Sequence, residues 1–266
     1  MRMRYYREKK EPQLRWMLHQ ARALLEGRQT AAVPSSDAEP LVIDLGCGKG
    51  DFTLLLAAAM PQLRVLGIDA NADAVAYASQ RALAAGLTNT CFRVADAASF
   101  EAAPPAASAA PPVTSEAAAL PSKRDGGAVA SLREWHAADG AELVVALHAC
   151  GGLSDVALGL AARCGASCLV CTCCFGKHRR LCAAREWGLP CEEEEKDVLC
   201  RMADCVEDSI SDEARRVISS LRLERLRRTL RPSSTLVRAS IRTFPRTFSR
   251  QNVVLGAECA PCAPVF

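Results

Sequence analysis

The stretch Leu41-Val-Ile-Asp44-Leu-Gly46-Cys47-Gly48-Lys-Gly50-Asp51-Phe52 constrains this chain more than any other. Five residues, apolar except for one aspartate, run into three glycines at alternate positions and then into a helix-forming segment. A buried strand turning on glycines into a helix opens a strand-helix-strand unit, and the glycines let a ligand approach the main chain closely. Short apolar runs recur at helix-length intervals, at Leu41 to Leu45, Arg64 to Ile68, Cys91 to Ala95, Leu143 to Leu147 and Cys168 to Thr172. That alternation predicts an α/β, Rossmann-like parallel sheet. Two later runs, Leu236 to Ile241 and Asn252 to Gly256, flank a turn containing Phe244-Pro245-Arg246, too short for a crossover helix. They predict a terminal antiparallel hairpin and bring the sheet to seven strands.

Ahead of the glycine loop, Leu14, Met17, Leu18, Ala21, Leu24 and Leu25 recur at helical spacing and predict an amphipathic helix over 6–27. The polar stretch Ala31 to Pro40 reads as a linker, which gives a leading segment 1–40 and a main domain 41–266. Residues 100–127, mostly Ala, Pro and Ser, have too few bulky apolar side chains to pack and are expected to be a disordered insertion. No run approaches the roughly 18 apolar residues of a spanning helix, and the start MRMRYYREKK is too charged for a secretory signal. A cytoplasmic, non-membrane protein is expected. With 50% apolar residues the core needs no covalent staples, so the 14 cysteines read as reduced thiols.

The loop spacing is G-x-G-x-G, whereas the dinucleotide fingerprint is G-x-G-x-x-G. Asp44 would repel a pyrophosphate but suits the ammonium of an amino-acid moiety, which favours S-adenosylmethionine. Asp69, at the second strand end, is placed to accept from ribose hydroxyls, and Asp96, at the third, from an adenine amino group. With three acidic residues at successive strand ends, the chain resembles the class I S-adenosylmethionine-dependent methyltransferases from Leu41 to about Cys174. The resemblance implies a cofactor site of Asp44, Gly46, Cys47, Gly48, Gly50, Asp69, Ala70, Asp96, Ala97 and His148.

The fourth and fifth strands end in Leu147-His148-Ala149-Cys150-Gly151 and Cys171-Thr172-Cys173-Cys174-Phe175-Gly176-Lys177-His178. These runs look like the LHACG-type and CCYGK-type motifs of a methyltransferase subfamily that includes tRNA acceptor-stem ribose 2′-O-methyltransferases. The resemblance implies RNA as a partner and direct methyl transfer. No Asn/Asp-Pro-Pro-aromatic signature of exocyclic amino methylation follows the fourth strand, and the separate Cys/His zinc modules of some tRNA-modifying relatives are absent.

Candidate catalytic residues are His148, Cys173, Cys174 and Lys177. His148 either orients substrate and accepts a proton or shapes the pocket wall. Lys177 and His178 either meet a phosphate or begin a solvated helix. The thiols of Cys150, Cys171, Cys173 and Cys174 admit three readings: packing, a nucleophile as in cytosine-C5 methyltransferases, or zinc with His178 or Cys182. Packing comes first, because Cys171 and Cys174 form a single C-x-x-C knuckle, and no metal is expected.

From Asp212 to Arg250 there are 11 arginines against 3 acidic residues, a net +8, which leaves −5 for the rest of the chain. Ser211 is expected to cap a helix with Asp212 and Glu213 in its first turn and Val217, Ile218, Leu221, Leu223 and Leu226 on its apolar face. Arg215, Arg216, Arg222, Arg225, Arg227 and Arg228 are then left mainly for the outer faces, either to contact phosphates or to remain solvated. A non-catalytic binding module retaining the fold is the alternative to an enzyme.

Overall fold

Every apolar run forms a strand in the computed structural model, which describes residues 2–31, 39–96, 140–175 and 193–262. The strands are β1 (Leu41–Leu45), β2 (Arg64–Asp69), β3 (Thr90–Val94), β4 (Ala141–Ala149), β5 (Ser167–Thr172), β6 (Ser234–Thr243) and β7 (Val253–Pro261). They form one seven-stranded sheet in the order β3-β2-β1-β4-β5-β7-β6. The first five are parallel, while β7 runs antiparallel between β5 and β6, as the short turn requires. The strand order reverses beside β1 and β4, and ligands of such sheets sit at the carboxyl ends of the strands there.

Both faces of the central strands are buried, so β1 alternates between two apolar layers. Val42 points into a layer with Leu14, Met17 and Leu25 of α2 (Glu11–Ala31) and Phe52 and Leu56 of α3 (Asp51–Ala59). Leu41, Ile43 and Leu45 point into the other layer, with α5 (Leu153–Cys164) and with Leu223 and Leu226 of α7 (Asp208–Thr229). A further helix, α4 (Ala72–Ala84), packs on β2 and β3.

The leading helix is longer than its apolar period predicts. It starts as α1 (Arg2–Tyr5), passes through a π-helical turn at Tyr6–Lys10, and continues as α2. Leu14, Met17, Ala21, Leu24 and Leu25 are buried as their spacing predicts, and Leu18 packs against the same layer. Trp16 meets Phe244 edge-on at 5.8 Å, and Gln13 donates to the Phe248 carbonyl, so α2 also holds the β6-β7 connection.

Three expectations about the basic helix are corrected. Helix α7 starts at Asp208, so Ser211 is inside it, with its hydroxyl donating to the carbonyl of Ala203 in α6 (Glu193–Ala203) rather than capping. Arg215 and Arg222 do not face outward: they are 3% and 2% exposed, and Val217, expected inside, is 38% exposed. The guanidinium of Arg215 donates to the carbonyls of Ala203 and Arg250, and that of Arg222 to Asp155 and Gly151. These buried partners outweigh the preference of an isolated arginine for water. The insertion 100–127, most of the linker, and Ala97, Lys177, His178 and Cys182 lie outside the described residues.

Candidate active site

Strand β1 delivers its buried aspartate just before the glycine turn. Asp44 is 1% exposed and accepts a 2.6 Å hydrogen bond from the Thr53 hydroxyl on α3. Burial pushes its carboxyl up to about 7, the nearby Asp69 adds to the rise, and the Thr53 hydroxyl opposes it. The site therefore holds a carboxyl poised between its two forms near neutral pH, which a cation placed beside it would ionise.

The turn after β1 is locked to the end of β2. The amides of Gly46 and Cys47 both donate to the Ile68 carbonyl, at 2.7 and 3.1 Å. Asp69 bridges the two loops: one oxygen accepts from the Gly48 amide at 2.8 Å and the other from the Asn71 amide at 2.8 Å. Both bonds approach the carboxylate from the protein, and Asp69 is half-buried, so its remaining lone pairs face the opening between the loops. Gly48 has φ +54°, and a Cβ there would meet nothing within 4 Å. The main chain is thus bare toward that opening, as a ligand resting on it requires. Gly67 serves packing instead, since a Cβ there would lie 2.6 Å from the Phe92 ring.

Several residues with no sequence signal close this mouth. Asp51, at the first turn of α3, pairs with Lys10 of the leading helix and with Arg81 of α4. Burial alone would raise its carboxyl, but the two cations hold it below the usual range. Arg81 also donates to the Lys49 carbonyl at 2.6 Å, and Lys49 and Arg81 both stand over the Tyr77 ring, at 5.6 and 5.8 Å. A cationic rim formed by Lys10, Lys49 and Arg81 therefore borders the glycine loop.

His148 reaches the same mouth by a bulge. Ala146 pairs with Val170 and Ala149 with Thr172, so β4 carries one residue more than β5 over that interval. The extra residue is absorbed with His148 at φ 62°, the one non-glycine with positive φ among the described residues. Bulges re-aim side chains at sheet ends, and strained backbone of this kind gathers at functional sites. The imidazole is open to solvent, yet the surrounding protein lowers its affinity for a second proton, and the Lys10 ammonium lowers it further.

Beyond the bulge, Cys150 Sγ lies 2.7 Å from Cys173 Sγ, and Cys174 joins them within 4.8 Å. The Gly151 amide donates to the Cys174 carbonyl at 2.6 Å and ties the two strand ends together. The Cys173 thiol is pushed upward first by its contact with Cys150, and that of Cys174 to about 11 first by burial. Cys171 is set apart in the apolar layer with α2 and α3.

Of the residues expected to hold cofactor, Asp44, Gly46, Cys47, Gly48, Gly50, Asp69 and Ala70 gather around the β1 and β2 ends, with His148 across the mouth. Asp96 follows β3 and is exposed. Thr53, Lys10, Arg81 and Asn71 complete the set, and sequence reasoning missed all four. The described donors and acceptors fit an amino-acid-bearing nucleoside: a buried carboxyl for the ammonium, a half-buried carboxylate for the ribose, and bare glycine backbone between them.

A family described as a methyltransferase domain matches residues 10–179, well over half of the chain. Two curated proteins, both named trans-aconitate 2-methyltransferase, match shorter segments. The one from Azoarcus sp. (strain BH72) is 48% identical over 50 residues, 19% of this chain and 19% of that protein. The one from Methylobacterium nodulans is 40% identical over 75 residues, 28% of this chain and 27% of that protein. The matched segments thus span about a fifth to a quarter of the length of these relatives. Among solved structures, the S-adenosylmethionine-dependent methyltransferase SibL in its apo form is similar at a TM-score of 0.40 and 17% identity, over 91% of this chain and 56% of that one. On the extent of the family match, the chain belongs to the methyltransferase-domain family.

Proposed function

We propose that this protein transfers the methyl group of S-adenosylmethionine directly to RNA. The observation that carries the transferase reading is the Asp69 bridge between the Gly48 and Asn71 amides, beside bare glycine backbone and the buried Asp44. When bound, the cofactor supplies an electrophilic sulfonium methyl. The chain's residues then align the nucleophile and exclude water, because the methyl is already activated. Asp44 would meet the cofactor's ammonium, Asp69 its ribose hydroxyls, and His148 would orient the accepting group from the far side of the mouth.

RNA is supported by the strand-end motifs and by the cationic rim of Lys10, Lys49 and Arg81, extended along the leading helix by the exposed Arg4 and Arg7. Helix α7 adds less than its composition suggests, because Arg215 and Arg222 are buried, and what it offers to a phosphate is the exposed Arg216, Arg227 and Arg228. Direct transfer is favoured over a cytosine-C5 route because the fourth-strand motif His148-Ala149-Cys150-Gly151 lacks the Pro-Cys pair of RNA cytosine-C5 enzymes. A second reading, a small polycarboxylate, draws on the names of the two curated relatives, and the same rim would suit it.

Incubation with methyl-labelled S-adenosylmethionine, separately with tRNA, with ribosomal RNA and with trans-aconitate, tests both readings. Label entering an RNA and recovered as one modified nucleotide after digestion is the expected result. Label entering only the organic acid would replace the RNA reading with the second. Absence of cofactor binding by calorimetry would remove both.

A further inference from the structure

Two groups stand out among the twelve described cysteines. Cys164, Cys168, Cys171 and Cys200 belong to the apolar clusters of the core, where a thiol serves as a small hydrophobic side chain. Cys150, Cys173 and Cys174 belong to none of these clusters and stand half-buried beyond the ends of β4 and β5. Their sulfur atoms nevertheless converge from two strands to within 4.8 Å of one another.

The backbone imposes this convergence. The Gly151 amide donates to the Cys174 carbonyl at 2.6 Å, the Phe175 amide to Asp204 at 2.9 Å, and Arg222 to the Gly151 carbonyl at 2.9 Å. Both strand ends are therefore pinned by bonds that do not involve sulfur. Packing does not require three thiols to meet at a half-open strand end, whereas a shared ligand does.

We propose that Cys150, Cys173 and Cys174 form a three-thiolate site for one borderline-soft divalent cation of the zinc class. Thiolates select such ions over magnesium or calcium, which prefer oxygen. Tetrahedral coordination with bonds of about 2.3 Å sets sulfurs about 3.8 Å apart. The Cys150 and Cys173 sulfurs, now 2.7 Å apart, would open by about 1 Å, and Cys174 would close by up to about as much, within the reach of side-chain rotation. On binding, each thiol loses its proton to solvent as its sulfur donates an electron pair to the metal. Three protein ligands leave the fourth position for water or a substrate atom, at the strand ends that face the mouth. The site does not depend on which substrate the protein methylates.

The full chain, purified in reductant without chelators, is assayed for bound zinc by mass spectrometry of the elements, then stripped and titrated with Co2+. One zinc per chain and a saturating sulfur-to-cobalt charge-transfer band are expected. The band should fall by roughly a third in each of Cys150→Ser, Cys173→Ser and Cys174→Ser, one thiolate of three, and be unchanged in Cys262→Ser. Circular dichroism reports whether each variant folds. If one does not, the variants that do fold decide, because a stoichiometric band supplied by these thiolates must weaken on loss of any one of them. A wild-type protein that retains no zinc and gives no charge-transfer band, a band insensitive to all three folded variants, or a Cys150–Cys173 disulfide in the protein as purified would each overturn the proposal.

Discussion

Around β1 and β2 the carboxyl edge of the sheet is built from main chain: glycines turn, amides donate, and one carboxylate, Asp69, gathers the Gly48 and Asn71 amides. Around β4 and β5 the same edge is built from side chains, with a bulged histidine, three thiols and a guanidinium beneath them. Arg222 donates to both oxygens of Asp155 and to the Gly151 carbonyl, and lies over the Phe175 ring at 5.4 Å. The first arrangement suits a fixed ligand recognised through groups every chain possesses. The second leaves chemistry to residues that can change without disturbing the first. On this view, loss of the Arg222–Asp155 support beneath the β4-β5 side should appear as lost stability, and damage on the β1-β2 side as lost cofactor.

The largest effect should come from Arg222→Leu. It removes the buried cation paired with Asp155, itself 1% exposed, and should cost about 3–5 kcal/mol, read as a lower urea midpoint. A double variant with Asp155→Leu that regains most of the loss would sharpen the contrast; an unchanged midpoint in the single variant would break it.

Next comes Asp69→Ala. Loss of the ribose contacts should weaken S-adenosylmethionine binding by about 1.5–3 kcal/mol in calorimetry. Binding equal to wild type would show that the β1-β2 edge does not hold the cofactor.

A smaller effect concerns pH. The Asp44 carboxyl titrates at about 7 in the folded protein, against 3.8 in its ordinary setting. The free folded form holds its proton longer than the unfolded chain, so this group withdraws stability as pH rises from 3.8 toward 7. A cationic cofactor favours the ionised form, so affinity should rise by up to about tenfold per pH unit below 7 and level off above it. Asp44→Asn should flatten that rise. A wild-type affinity independent of pH from 5.5 to 7.5, roughly the span over which such a group titrates, would argue against the ammonium contact.

The smallest effect is expected at Arg246, which pairs with Asp208 and Asp212 on the surface. Arg246→Gln should leave the melting temperature within experimental error, since exposed pairs contribute little. A large fall would mean that buried and exposed arginines in this half do not differ as described.

The strands were readable because each is an apolar run of strand length, and the hairpin because Phe244-Pro245-Arg246 leaves no room for a helix. The glycine loop and its three acidic neighbours were readable because their spacing is local. The Lys10–Asp51 pair spans 41 residues and the Arg222–Asp155 pair spans 67, so neither leaves a periodic trace. Charge counting treated the arginines of α7 as one population, although the helix turns Arg215 and Arg222 inward and Arg227 and Arg228 outward. The His148 bulge was equally hidden, because one residue too many is visible only when two strands are laid side by side.

That bulge makes this part of the chain sensitive to length rather than to identity. The extra residue between Ala146 and Ala149 is what makes the bulge, so deleting one residue there would restore a regular ladder, leave Ala149 opposite Thr172, and remove the kink that carries His148. Substitutions at His148 leave the count intact, and glycine or asparagine would tolerate its backbone angle. Variation among natural forms of this segment should therefore consist of replacements at a constant number of residues, with insertions and deletions displaced to the loops beyond the strands.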